Sequence, residues 1–231
     1  MSRSRRILFV SGGVIAVLLF ILIGFVLWLY PSHEKADYRF AYATDASLEL
    51  IYLEVGGTRL AVPKAYIWGP SAWKGGARDG INMHALLPDL EPYSEKNKAE
   101  FDSPGLGKVV TFLVHHNDNG HTTKKKVFER LMAMMIDPAS AKPYEFGLIH
   151  YSYSEQHKRE KDFLVHKEPS GVVHFFDCRQ EGTAPYPSCR TYLDYNDHVY
   201  VEINFSRHYL KDWKDIEAKV LSLIATFETK D

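Results

Sequence analysis

The amino-acid sequence predicts an α+β fold: an antiparallel sheet packed by two helices and preceded by one N-terminal transmembrane helix. Three observations carry that prediction. The chain opens with an apolar run of 24 residues, Ile7 to Tyr30. Beyond it, short runs rich in β-branched and aromatic residues alternate with turn formers, and two later segments repeat their apolar residues every three or four positions.

The first run sets the expected cellular geometry. At the helical rise it reaches ~36 Å against a hydrocarbon core of ~30 Å, so a modest tilt absorbs the excess. Trp28 and Tyr30 fall where an interfacial aromatic belt belongs, and Arg3, Arg5 and Arg6 precede the run with no acidic residue among them. The positive-inside bias therefore places the N-terminus in the cytoplasm and everything after Pro31 on the far, non-cytoplasmic side. A cleaved secretory signal is the competing reading. Its apolar core spans only ~7–15 residues, and Trp28-Leu29-Tyr30 offers no small-residue cleavage pattern. The chain thus divides into 1–30, tail and anchor, and 31–231, one exported α+β domain.

Within that domain the elements follow in order. Leu48 to Val55 and Thr58 to Val62 flank Gly56-Gly57, a dipeptide suited to the positive φ of a tight hairpin turn. The stretches Trp68 to Gly80 and Leu87 to Gly107 read as long irregular loops. Strands are expected at 81–87, 108–115, 146–153, 163–166, 172–178, 190–195 and 199–205. Pro169-Ser170-Gly171 and Asn196-Asp197 supply links too short for parallel crossovers, hence the antiparallel sheet. In 123–136, Val127, Leu131, Met134 and Met135 recur at helical spacing, with Thr122 or Thr123 as cap and Pro138 beyond the end. From Leu210 to Phe227, the residues Leu210, Trp213, Ile216, Val220, Leu223, Ile224 and Phe227 form a stripe that must bury against the sheet.

Cys178 and Cys189 are the only cysteines. In an oxidising compartment they are expected to form a disulfide across a loop holding Gly182, Pro185 and Pro187; two thiols without a nearby histidine pair match zinc poorly. Removing the three arginines of the tail leaves 25 Lys and Arg against 29 Asp and Glu, a net charge of −4 without a polybasic stripe. Nucleic-acid binding is thereby disfavoured. Lys124-Lys125-Lys126 reads as the solvated opening of a helix.

No catalytic residues, metal ligands or cofactors are assigned. The densest histidine group, His115-His116-Asn117-Asp118-Asn119-Gly120-His121, places neighbours on opposite strand faces and ends in an ordinary turn. Serine-elbow, phosphate-loop and zinc-helix motifs are missing from the sequence. The loop with Trp68, Trp73, Arg78 and Asp79 has the composition of interface hot spots and is the candidate partner-binding segment; the competing reading folds both tryptophans back onto the sheet.

Several patches then point one way. Cys178 to Cys189, Tyr200-x-Glu202-x-Asn204-Phe205, Leu210-x-x-Trp213-x-x-Ile216 and a helix ending at Phe227 resemble membrane-anchored periplasmic immunity proteins of bacterial type VI secretion systems. Val62-Pro63-x-x-Tyr66 and Leu87-Pro88-Asp89-Leu90 are similar to patches in those accompanying phospholipase effectors. The resemblance implies a stoichiometric inhibitor that binds an incoming toxin in the periplasm and performs no catalysis. Two other classes share the topology. A single-span adaptor of a cell-envelope complex would hold neighbours with the same domain, and a periplasmic hydrolase would bring His115, His121, His150, His166 and His174 together in a pocket.

Overall fold

The computed structural model describes residues 43–118 and 123–229. The apolar run from Ile7 to Tyr30, its flanking arginines, and His121 lie outside the described residues. Among the described residues, no helix is long and apolar enough to cross a membrane.

The described chain begins with a hairpin, β1 (Leu50–Val55) and β2 (Thr58–Pro63), paired in antiparallel register from Leu50↔Pro63 to Val55↔Thr58. Gly56 and Gly57 turn it at φ +55° and +80°. Gly56 is obligatory for a second reason: a Cβ there would meet the His198 carbonyl oxygen at 2.5 Å. β3 (Gly76–Arg78) then pairs with β1 in parallel, giving a three-stranded sheet of order β2-β1-β3.

The second sheet is larger. Its strands are β4 (Gly80–Leu86), β5 (Val109–His116), β6 (Lys142–Pro143), β7 (Ile149–Tyr151), β8 (Lys161–Lys167), β9 (Val173–Arg179), β10 (Ser188–Asn196) and β11 (Val199–Ser206). Among the described residues they pair antiparallel throughout, in the order β4-β5-β11-β10-β9-β8-β7-β6.

Two faces of this sheet are packed, and period two decides which residue serves which. Helix α3 (Trp213–Phe227) buries Trp213, Ile216, Val220, Ile224 and Phe227 in one cluster with Leu164, Phe176, Leu193 and Ile203, and with Ile51, Leu53 and Val62 of the small sheet. Helix α2 (Lys124–Met134) covers the opposite face of β8 and β9, where Val127 meets Phe163, Val165 and Phe175. Thr123 caps α2, its hydroxyl accepting from Lys126 N at 3.3 Å.

The architecture is therefore α+β and mostly antiparallel, with four departures from the sequence reading. The strands fall into two sheets, and β1–β3 is a parallel pair. The 87–107 stretch, read as irregular, contains one helical turn, α1 (Lys98–Phe101), whose Phe101 ring packs on His84 at 4.9 Å. The C-terminal helix opens as a 3-10 segment, Arg207–Asp212, before α3 proper.

Candidate functional site

The ladder between β9 and β10 holds only two residue pairs among the described residues, Cys189↔Cys178 and Arg190↔Asp177. The first pair is covalently joined, Cys178 to Cys189, closing the intervening loop as the sequence predicts. The eight-stranded sheet is thus two four-stranded halves meeting at a short, stapled seam. Past the seam, side chains take over from backbone pairing.

Charge fills the gap. Lys124, the first residue of α2, extends Nζ to 3.0 Å from His174 Nδ1 and 3.6 Å from Glu217 Oε2. Glu217 Oε2 lies 2.6 Å from the same ring nitrogen, and Oε1 accepts from the Thr191 hydroxyl at 3.0 Å. His174 Nε2 faces Glu168 Oε1 at 3.1 Å. Asp194 Oδ1 accepts from the Lys124 amide at 2.8 Å, fixing the start of the helix. The cluster links both helices to β9, β10 and the turn after β8. Burial lowers the Lys124 pKa, with Glu217 working the other way, because removing an ammonium from water favours its neutral form. Half-buried Glu168 is held below its ordinary value by its bonds to His174 and Ser170.

Above this floor opens a cleft of about 440 Å³, walled by Trp213, Val172, Leu193, Ala218 and Leu221. That volume suits one inserted side chain or a small ligand. The cluster's hydroxyl, Thr191, is fully buried and spent on Glu217, so it meets nothing that enters. A second buried pair lies beyond the seam. Arg207 Nη1 bonds Asp162 Oδ2 at 2.6 Å and the Arg179 carbonyl at 2.7 Å, while Nη2 donates to Tyr144 Oη at 2.9 Å.

The histidines separate rather than converge. His115 stacks on Tyr200 at 5.0 Å, His150 Nε2 meets Asp162 at 3.0 Å, and His166 and His174 flank Trp213 with their rings 6.0 Å apart. Among the described residues no group of three or more His, Cys, Asp or Glu is arranged to hold a metal ion.

The loop singled out from the sequence divides between packing and exposure. Trp68 is half-buried and stacks on His84 at 6.0 Å. Trp73 packs on the core beneath Lys64, whose Nζ sits 4.4 Å from the ring centre. Half-buried Arg78 donates from Nη2 to the Gly75 carbonyl at 3.1 Å; Asp79 is exposed, its carbonyl accepting from the His116 amide at 2.8 Å.

Lys124 corrects the sequence reading of a solvated lysine triplet: Lys125 and Lys126 are exposed, but Lys124 is buried. Nothing in a triple lysine distinguishes its first member. Glu217 carries a signal in the sequence, since it stands four residues after Trp213 and three before Val220, inside the apolar stripe.

No protein-family profile and no curated protein matches the chain. Solved structures do. An immunity protein of the Stenotrophomonas maltophilia type IV secretion system aligns with a TM-score of 0.59 and 18% identity, covering 80% of this chain and 95% of the other. The Neisseria meningitidis iron-regulated outer membrane lipoprotein FrpD aligns over 81% and 97%, with 14% identity and a TM-score of 0.48. The first match shows that this chain shares its fold with a secretion-system immunity protein.

Proposed function

We propose that this protein is an immunity protein, a membrane-tethered periplasmic inhibitor that binds a secreted toxin and performs no chemistry of its own. The observation that carries the proposal is the fold shared with the Stenotrophomonas protein over nearly its whole length. Two features of the chain support it. The apolar run behind three arginines suits an inner-membrane anchor with the domain outside, and the Cys178–Cys189 bridge suits an oxidising compartment.

Inhibition by occlusion needs a surface that does not pay a large ordering cost on binding. Two packed faces, a stapled seam and a buried charge cluster supply that rigidity, and a tether raises the local concentration of the inhibitor. The loop bearing Trp68, Trp73, Arg78 and Asp79 is proposed as the toxin contact. In it Trp68 and Trp73 are packed and Asp79 is exposed to solvent.

The sequence resemblance directs the finer proposal toward a type VI phospholipase effector, whereas the structural neighbour serves a type IV system. Both converge on an incoming secreted toxin. The test is rescue: the toxin encoded beside this gene is directed to the periplasm with and without the chain, and the two proteins are then co-purified. Survival together with a stoichiometric complex is expected. Neither protection nor binding would end the proposal.

A further inference from the structure

Among the described residues, β1 and the residue two before it carry large apolar side chains on the outer face of the small sheet: Leu48, Leu50 and Tyr52, 67%, 47% and 67% exposed. The ladder with β2 extends back through this lead-in, Lys64 N bonding the Glu49 carbonyl at 2.9 Å and Ala65 N the Ser47 carbonyl at 2.9 Å. Leu50 and Tyr52 therefore stand on alternate positions of one strand, and exposed Leu48 lies just ahead of them. In register beside them on β2 are Pro63, opposite Leu50, and Ala61, opposite Tyr52. The other face of the same strand, Ile51, Leu53 and Val55, is buried in the core.

This strand is thus apolar on both sides. An antiparallel sheet with one face in water normally alternates apolar inside and polar outside, so an apolar outer face marks a surface that is covered in use. Ion pairs stand at the two ends of this patch, Lys64 Nζ to Asp45 Oδ2 at 2.7 Å before it and Arg59 Nε to Glu54 Oε2 at 3.5 Å beyond Tyr52.

The chain itself indicates what covers it. Only twelve residues, 31 to 42, separate the end of the apolar run at Tyr30 from the first described residue. Fully extended they reach about 40 Å, so a bilayer holding that run would keep β1 within that distance of its surface. Leucine and tyrosine side chains partition into the headgroup boundary, the tyrosine keeping its hydroxyl wet. A short tether sets an effective concentration in the millimolar range, so a shallow three-residue contact that would fail in free solution is populated. We propose that the outer face of the small sheet, centred on Leu48, Leu50 and Tyr52, rests on the lipid surface. This rests on the membrane-tether reading. Such a contact would fix which side of the domain is presented to the periplasm, with α3 and the large sheet on the side away from lipid.

The test uses the full chain in phosphatidylethanolamine–phosphatidylglycerol vesicles, with an environment-sensitive bimane probe on Leu50→Cys or, as control, on exposed Met134→Cys of α2. The disulfide is left intact. The Leu50→Cys probe is expected to shift to the blue and to be quenched by doxyl-labelled lipid several-fold more strongly than the Met134→Cys probe. Equal lipid quenching at the two positions, with free access of aqueous iodide to the Leu50→Cys probe, would overturn the proposal. So would a Leu50→Cys probe that is shielded only when purified toxin is added, which would make the stripe a protein-docking face. Alkaline carbonate extraction separates the two layers of the argument. A chain that pellets with the vesicles while its Leu50→Cys probe stays wet overturns the lipid contact alone; a chain released to the supernatant overturns the tether with it.

Discussion

His84 offers a stability measurement whose size follows from its surroundings. The residue lies on β4, 2% exposed, its ring stacked with Trp68 and Tyr93 and edge-on to Phe101 at 4.9 Å. Among the described residues Nε2 has no hydrogen-bond partner, and the ring has a polar contact with the backbone at Ala65. Burial lowers the pKa from 6.5 to about 4, because a protonated imidazole cannot recover its hydration there. The folded value lies below the unfolded one, so the unfolded chain takes up the proton first as pH falls. The stability contributed by the neutral ring is complete above pH 6.5 and is lost on the way down to about 4. At about pH 5 the unfolded ring is almost fully protonated and the folded one only about a tenth, a loss of ~2 kcal/mol, rising to ~3 kcal/mol at pH 4. Urea unfolding of the native sequence and of His84→Phe at about pH 7.5 and pH 5 isolates this contribution. Whatever the variant's stability at neutral pH, the gap between the two proteins should move in the variant's favour by ~2 kcal/mol on acidification. A constant gap would refute the claim that His84 is held neutral by burial.

Replacing both Cys178 and Cys189 by alanine should cost about 3 kcal/mol by the chain-entropy account of a loop with sequence separation 11, read as a fall in the urea midpoint. Amide exchange should rise first around 176–178 and 189–191, where the ladder is shortest. Glu217→Ala leaves Lys124, whose side chain is 10% exposed, without its carboxylate, and should cost about 3 kcal/mol or more, whereas Lys124→Met combined with Glu217→Leu should recover most of that loss in the same assay. For Asp162, burial pushes the carboxyl up, but bonds from Arg207 and His150 outweigh it and hold the pKa below the ordinary value. Its stabilisation is therefore present above the unfolded value and lost as pH falls through the lower folded one, so the penalty of Asp162→Asn should shrink in acid unfolding curves below about pH 4. Asp79→Arg, at an exposed side chain, should change stability by less than about 0.5 kcal/mol yet abolish protection in the toxin-rescue assay if its loop is the contact.

The parts of the fold legible in the sequence are those where one local rule suffices. Gly56-Gly57 demanded a hairpin because few other residues tolerate two successive positive φ values, and the Trp213 to Phe227 stripe required a buried helical face. The two cysteines needed only a turn-rich loop between strands. What stayed hidden depends on partners distant in sequence. Gly76-Ala77-Arg78 has no strand pattern of its own and becomes β3 by lying along the open edge of β1. Period-two alternation tells inside from outside but not which strands share a sheet, so the division into two sheets could not be read. The buried site was harder still, because Lys124 looks like its two exposed neighbours until His174 and Glu217 arrive from β9 and α3. Among the loop residues, composition alone could not sort the packed tryptophans from the projecting Asp79.

A broad sheet whose two halves touch through two residue pairs also makes the redox state of one bond a determinant of its firmness. Without the bond between its sulfurs, the two halves are held in alignment by those two ladder pairs and by side-chain packing, and the cleft between them has no covalent frame. A copy kept under reducing conditions would carry every residue of the final molecule and hold its two halves together less firmly by the worth of one bond.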